Sequence, residues 1–309
     1  MEIIVPFLLG LFTVPTPERV DLEYTYEVKI DTSFEMSNFN NKPSPAKTTN
    51  LFLDLKCLTK LADRIVCRVG TLRNLYPMPE LAPVCVQVDS SKLISPKDLD
   101  GDSFPFEIRF DANGIVSYVV EKNDEVTIKM MNVYRWITSP LSVGNYKKDA
   151  CCPIEQDPVG YCNVTYNLER RSMNMSGNFH LISLSNLQFS SDDAVVITKQ
   201  KRIDTDCVMM SNYVFSIRFW PELMFKHTES YRIVQSNNVM TLHKNGFQSK
   251  MTNRVDFYQK TSEGTALIGV AKESLSLTLK SYRIICAIDK YWMNDENAVE
   301  MVVSPNNNY

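Results

Sequence analysis

The sequence predicts a mainly β protein: a large curled antiparallel sheet, or barrel-like sheet, with one short central helix and few others. Three observations predict it. Apolar and polar residues alternate at period two in segment after segment, as strands with one buried face require. The stretch Phe104–Ser142 opens with a hairpin of explicit turn chemistry. So many strands in a chain of 309 residues must curl, close or pack, because a long flat sheet leaves exposed edges.

Residues 1–14, MEIIVPFLLGLFTV, form an apolar run of signal-peptide length. A bilayer span needs about 20 apolar residues, so this run is too short for one. Residues 1–16 are read as a secretory leader, with a buried first strand as the alternative, and residues 17–309 as a single domain. The run begins Met-Glu rather than with a base, and Pro-Thr-Pro-Glu offers no small-x-small cleavage site.

Beyond the leader, Leu22, Tyr24, Tyr26, Val28 and Ile30 alternate with Glu23, Thr25, Glu27 and Lys29, the pattern of a strand. A polar loop spans 37–50, Leu51, Leu53, Leu55 and Cys57 resume the alternation, and Arg64–Leu72 reads as the returning arm. Tyr76-Pro-Met-Pro-Glu80 breaks the chain. In the central stretch, Phe106, Ile108 and Phe110 alternate with Glu107 and Arg109. Asp111-Ala-Asn-Gly114 then supplies residues that tolerate positive φ, and Ile115–Val120 returns. A third strand is expected with Val126, Ile128 and Met130 on one face, then a short helix over 132–143 that Pro140 ends or bends. Later strands are expected at Cys162–Leu168, Phe179–Leu184, Val195–Thr198, Tyr213–Phe219, Tyr231–Val234, Val239–His243, Arg254–Lys260, Thr265–Val270 and Glu273–Ala287. Lys290–Val302 is a second helix candidate. Tyr24, Tyr26, Phe104, Phe106, Phe110, Phe215, Phe219 and Trp220 are read as core, since a sheet of this size needs bulky residues to fill it.

A net charge of −3 is too small to predict a nucleic-acid or membrane-surface partner, and no segment beyond the leader is apolar enough for a transmembrane helix. Eight cysteines (Cys57, Cys67, Cys85, Cys151, Cys152, Cys162, Cys207, Cys286) lie beyond the leader, an even number that favours disulfides. Asn163-Val-Thr165 and Asn174-Met-Ser176 are glycosylation sequons. Leader, cysteines and sequons together predict a secreted glycoprotein. Cys151 and Cys152 are adjacent, which suits two different disulfide partners and lacks the ligand spacing of a zinc site. Only His180, His227 and His243 are present, and no nucleophile elbow, zinc-protease, Walker or dinucleotide fingerprint occurs. No enzyme, cofactor or metal is predicted.

Three blocks in order carry a family resemblance. The Phe-rich strand, Asn-Gly turn and Val-rich strand lead into Asn132-x-x-Arg135-x-Ile137-x-Ser139. Gly160-Tyr-Cys162-Asn-Val164-Thr-Tyr166 follows, and then Lys199-Gln-Lys201-Arg202 shortly before Cys207. This order resembles the amino-terminal domain of vitellogenins, within the large lipid transfer proteins, over roughly residues 21–300. The resemblance implies a many-stranded barrel-like sheet around a short helix and a Cys162–Cys207 disulfide, worth about 4 kcal/mol by chain entropy. It implies a lipid-transport or yolk-type association, with an endocytic receptor or lipoprotein as partner and at most a few lipid molecules bound, because the lipid-enclosing sheets of the full-length proteins are absent from this sequence. It nominates Lys199, Lys201 and Arg202 for receptor contact, with Lys147-Lys148 and Arg170-Arg171 in reserve. Trp136 stands where the family usually has Gly, and Pro140 interrupts the expected helix. The alternative of another class is a secreted ligand-binding or defence module that has lost the lipid role.

Overall fold

A computed structural model describes residues 22–36, 47–61, 64–73, 105–111, 114–121, 128–143, 154–157, 160–172, 193–203, 207–209, 230–243, 246–262, 264–284 and 298–302. The strands are β1 (Leu22–Met36), β2 (Lys47–Leu61), β3 (Arg64–Arg73), β4 (Phe106–Asp111), β5 (Gly114–Glu121), β6 (Ile154–Asp157), β7 (Gly160–Ser172), β8 (Asp193–Lys201), β9 (Cys207–Met209), β10 (Ser230–His243), β11 (Gly246–Thr261), β12 (Gly264–Ile284) and β13 (Ala298–Val302). Among the described residues there is one α-helix, α1 (Ile128–Thr138), which continues into a 3-10 turn at Ser139–Leu141.

All ladders are antiparallel, in the order β13-β5-β4-β3-β2-β1-β12-β11-β10-β8-β7-β6, with β9 also on β7. The sheet curls until β6 comes back against β5, yet no ladder joins them among the described residues, so it is barrel-like and not closed. Its position in the middle of the order makes β1 the hub: Leu22 opposes Ile284, and Phe34 opposes both Ala271 and Lys47.

Alternation explains the inner face. Tyr24, Tyr26, Val28 and Ile30 of β1 are buried with Leu51, Leu53 and Leu55 of β2, Phe106, Ile108 and Phe110 of β4, and Leu275 and Leu277 of β12. Helix α1 lies among them, with Met131, Val133, Tyr134, Trp136 and Ile137 all buried. Tyr134 stacks on Phe106 with ring centroids 4.0 Å apart, and Tyr118 Oη lies 2.9 Å from Thr138 Oγ1. Burial pushes the Tyr118 phenol up to about 12. Gly114, with φ +103°, begins β5 beneath the end of the helix, and a β-carbon there would collide with the Ser142 hydroxyl.

Four sequence expectations change. The strand expected through Ile128 and Met130 is the first turn of α1, because so short an apolar run fits a strand and a helix equally well. Pro140 ends the α-helix as expected: α1 stops at Thr138, and Pro140 sits in the first turn of the 3-10 segment, where a missing N–H costs nothing. Tyr231–Val234 and Val239–His243 are one strand, β10, and Thr265–Val270 joins the next segment as β12, 21 residues long. The expected carboxy-terminal helix ends instead as β13, with Val299 opposite Val120. The polar loop is also shorter, since β2 begins at Lys47. The leader, Phe104, Phe215, Phe219, Trp220 and the strands expected at Phe179–Leu184 and Tyr213–Phe219 lie outside the described residues.

Candidate functional site

The carboxy-terminal end of α1 gathers the polar groups of the interior. A helix leaves its last carbonyls without intrahelical partners, and the aligned peptide dipoles make that end negative. Three neighbouring strands each send a side chain to it. Lys199 of β8 donates from Nζ to Ser142 O at 3.1 Å, Asn238 of β10 from Nδ2 to Pro140 O at 3.4 Å, and Ser249 of β11 from Oγ to Pro140 O at 2.7 Å. Asn238 faces Lys199 in the ladder, and Ser249, opposite Met240, lies diagonally from it with its hydroxyl 2.9 Å from Asn238 Oδ1. Ser139 Oγ donates back to Trp136 O at 2.8 Å, and Ser142 Oγ accepts from Ile115 N at 3.3 Å.

Lys199 also pairs with Glu155 of β6, and Tyr166 of β7 donates its hydroxyl to the same carboxylate. Glu155 and Lys199 are 0% and 2% exposed, so this pair sits wholly inside the sheet. Lys201, two residues on and therefore on the same face, is buried as well. Desolvation pulls the Lys201 amine down to about 7, with the Glu155 charge opposing the shift.

This placement corrects the reading of Lys199, Lys201 and Arg202 as an exposed basic run. The two lysines point inward and hold the end of the helix, while Arg202 alone is exposed. Arg170 and Arg171 fall on β7, and Lys147 and Lys148 lie outside the described residues. The gap bounded by Ser139, Lys199, Lys201, Ser236, Asn238 and Met251 has no room for a water molecule, so the buried amines face no substrate space. Among the described residues no group of three or more His, Cys, Asp or Glu is placed to hold a metal ion. His180 and His227 lie outside the described residues, and His243 ends β10.

Cys162 and Cys207 are joined by a disulfide across β7 and β9, directly opposite in the ladder. A second bridge joins Cys57 to Cys67 across β2 and β3. The sequence left Cys57 and Cys67 without assigned partners; a register shift between Thr59 and Leu61, which no sequence pattern announces, is what brings the two opposite each other. Cys85, Cys151, Cys152 and Cys286 lie outside the described residues, as does Asn174. Asn163 is half-buried on β7, with exposed Thr165 on the same face.

A second polar network closes the other edge. Arg109 of β4 bonds Glu107 at 2.8 Å and Glu300 of β13 at 2.6 Å, and Ser117 donates to Glu300 at 2.5 Å. The Ser117 bond, ahead of the Arg109 charge, holds the Glu300 carboxyl below its ordinary value. Every member joins neighbouring strands, and the cluster fastens β13 to the sheet.

Among solved structures, lipovitellin, in a study of its lipid–protein interactions, matches over 86% of this chain and 26% of its own, with a TM-score of 0.50 and 13% identity. The fold is that of a vitellogenin amino-terminal-type domain. This chain spans about a quarter of the lipovitellin chain it matches. The outer membrane protein AlkL, solved by solid-state NMR in DMPC bilayers, aligns with a TM-score of only 0.20 at 6% identity, over 90% of this chain and 98% of its own. No family model and no curated protein sequence matches the chain. No helix among the described residues is long and apolar enough to cross a membrane. The lipovitellin-like sheet thus encloses a helix, with Trp136 fully buried.

Proposed function

We propose that this protein is a secreted, disulfide-bonded binding module of lipid-transport type, which acts through protein contact and not as a bulk lipid carrier. One observation carries the reading: the interior of the lipovitellin-like sheet is filled by α1 and by the side chains that hold its end. A β-barrel of small bore packed with its own side chains has no place for a lipid store. An endocytic receptor or a lipoprotein is the partner class we propose, with exposed Arg202 as the contributing cation.

Intact mass combined with lipid extraction, on protein taken from its native secretion, tests the proposal. The expected result is a processed amino terminus, glycan mass and at most a few lipids per chain. Tens of lipids per chain would overturn it. For the contact itself, Arg202→Glu is expected to weaken binding to an acidic receptor module and to flatten its salt dependence. Unchanged affinity and salt dependence would remove Arg202 from the interface.

A further inference from the structure

The outer face of the sheet has a groove of about 670 Å³, within the roughly 300–1,000 Å³ of small-molecule sites. It crosses five strands, β2, β1, β12, β11 and β10, and register orders its lining into two adjacent rows. Thr48, Ser33, Lys272, Arg254 and Gln235 form one; Asn50, Asp31, Ser274 and Thr252 form the other. Lys29 extends the second along β1, and the buried Thr32, Asn253 and Glu273 complete the lining, with Asn253 Nδ2 donating to the Glu273 carboxylate at 3.4 Å. Among the described residues no apolar side chain lines it.

The charges in the groove are already matched. Lys29 meets Asp31 at 2.9 Å, Arg254 meets Asp256 at 3.0 Å and Lys272 meets Glu35 at 3.7 Å. In contrast, the hydroxyls of Ser33, Thr48, Thr252 and Ser274 and the amide of Gln235 make no side-chain bond to any described residue. What the groove offers a ligand is therefore neutral, and each such group both donates and accepts. A lipid tail finds no apolar wall here, and a polyanion finds no uncompensated cation. Neutral hydroxyl ligands use both halves of each free group. Positions repeat about 4.8 Å apart across strands and about 6.7 Å apart along them, a lattice that can engage successive rings of an oligosaccharide.

We propose that this groove binds a neutral oligosaccharide. The site lies on the face opposite α1 and stands independently of the lipid and receptor reading.

Calorimetric titration and saturation-transfer NMR of the full chain with maltohexaose, chitohexaose and mannohexaose test it, beside a heparin hexasaccharide and phosphatidylcholine vesicles. At least one neutral hexasaccharide is expected to bind with a dissociation constant of about 1 mM or tighter. Thr252→Val with Ser274→Val is expected to weaken it at least about tenfold, and Gln235→Leu to weaken it less. Ser276→Ala, on the same strand face but outside the groove, should leave it unchanged. Circular dichroism and the melting temperature report that each variant is folded. These positions are exposed or half-exposed, and valine is a strong strand former. The proposal is overturned if no neutral hexasaccharide binds at about 10 mM, if folded Thr252/Ser274 variants bind as well as the parent, or if only heparin or vesicles bind.

Discussion

From β1 to β5 the interior is built of Tyr24, Val28, Leu53, Phe106, Ile108 and Tyr118, which meet α1 mainly through packing, with one stacked ring pair and the Tyr118–Thr138 hydroxyl contact. Across β8, β10 and β11 the same helix is met by Lys199, Asn238 and Ser249, which reach its last carbonyls. One side fills volume and the other satisfies dipoles. The helix needs both because its flanks are apolar and its end is not. The contrast also separates burial from function: the basic run of β8, the most function-like motif in the sequence, serves the interior.

The largest effect is expected on the apolar side. Trp136→Ala removes a fully buried side chain and should cost about 3–5 kcal/mol in urea unfolding. A loss below about 1 kcal/mol would mean that the helix is not the centre of the core. On the polar side, Glu155→Gln leaves the Lys199 ammonium buried without its counter-charge and should cost about 3 kcal/mol. Glu155→Leu combined with Lys199→Met should recover much of that loss, since a buried pair offsets its own desolvation only in part. If the double variant is the worse of the two, the pair supports the fold and is not merely tolerated.

The smallest effect is a pH dependence. Lys201 titrates near 7 in the folded chain against 10.5 when exposed. Above pH 7 the unfolded chain therefore holds a proton that the folded chain has released, and stability rises toward pH 10.5. The melting temperature should climb between pH 7 and 9, and Lys201→Met should flatten that climb. An unchanged slope in the variant would show that Lys201 stays charged inside.

Much of this was legible in the sequence. Period-two alternation located β1, β2, β3, β4 and β5, and the block around Cys162 located β7. Continuity was harder to see. Ser236 and Asn238 face inward on β10, so a strand that crosses a polar interior reads as a loop. In β12 the expected break fell at Ala271-Lys272, weak strand formers by composition, although Ala271 continues the inward alternation with Glu273 and Leu275. The inward turn of Lys199 and Lys201 had no local signal at all, because alternation fixes two faces and not which is buried when both carry polar residues. The groove escaped notice for a related reason: its rows exist only across strands, at positions from 29 to 274 in the chain.

The place of β1 in the strand order has a consequence during synthesis. Its second neighbour is β12, so Leu22 waits for Ile284 to be made, which takes roughly 10–50 s at about 5–20 residues per second. Throughout that interval one edge of β1 is unpaired, with Val28, Ile30 and Phe34 beside it. Until β12 is made, the nascent chain therefore carries an open, apolar strand edge of the kind that pairs with other chains.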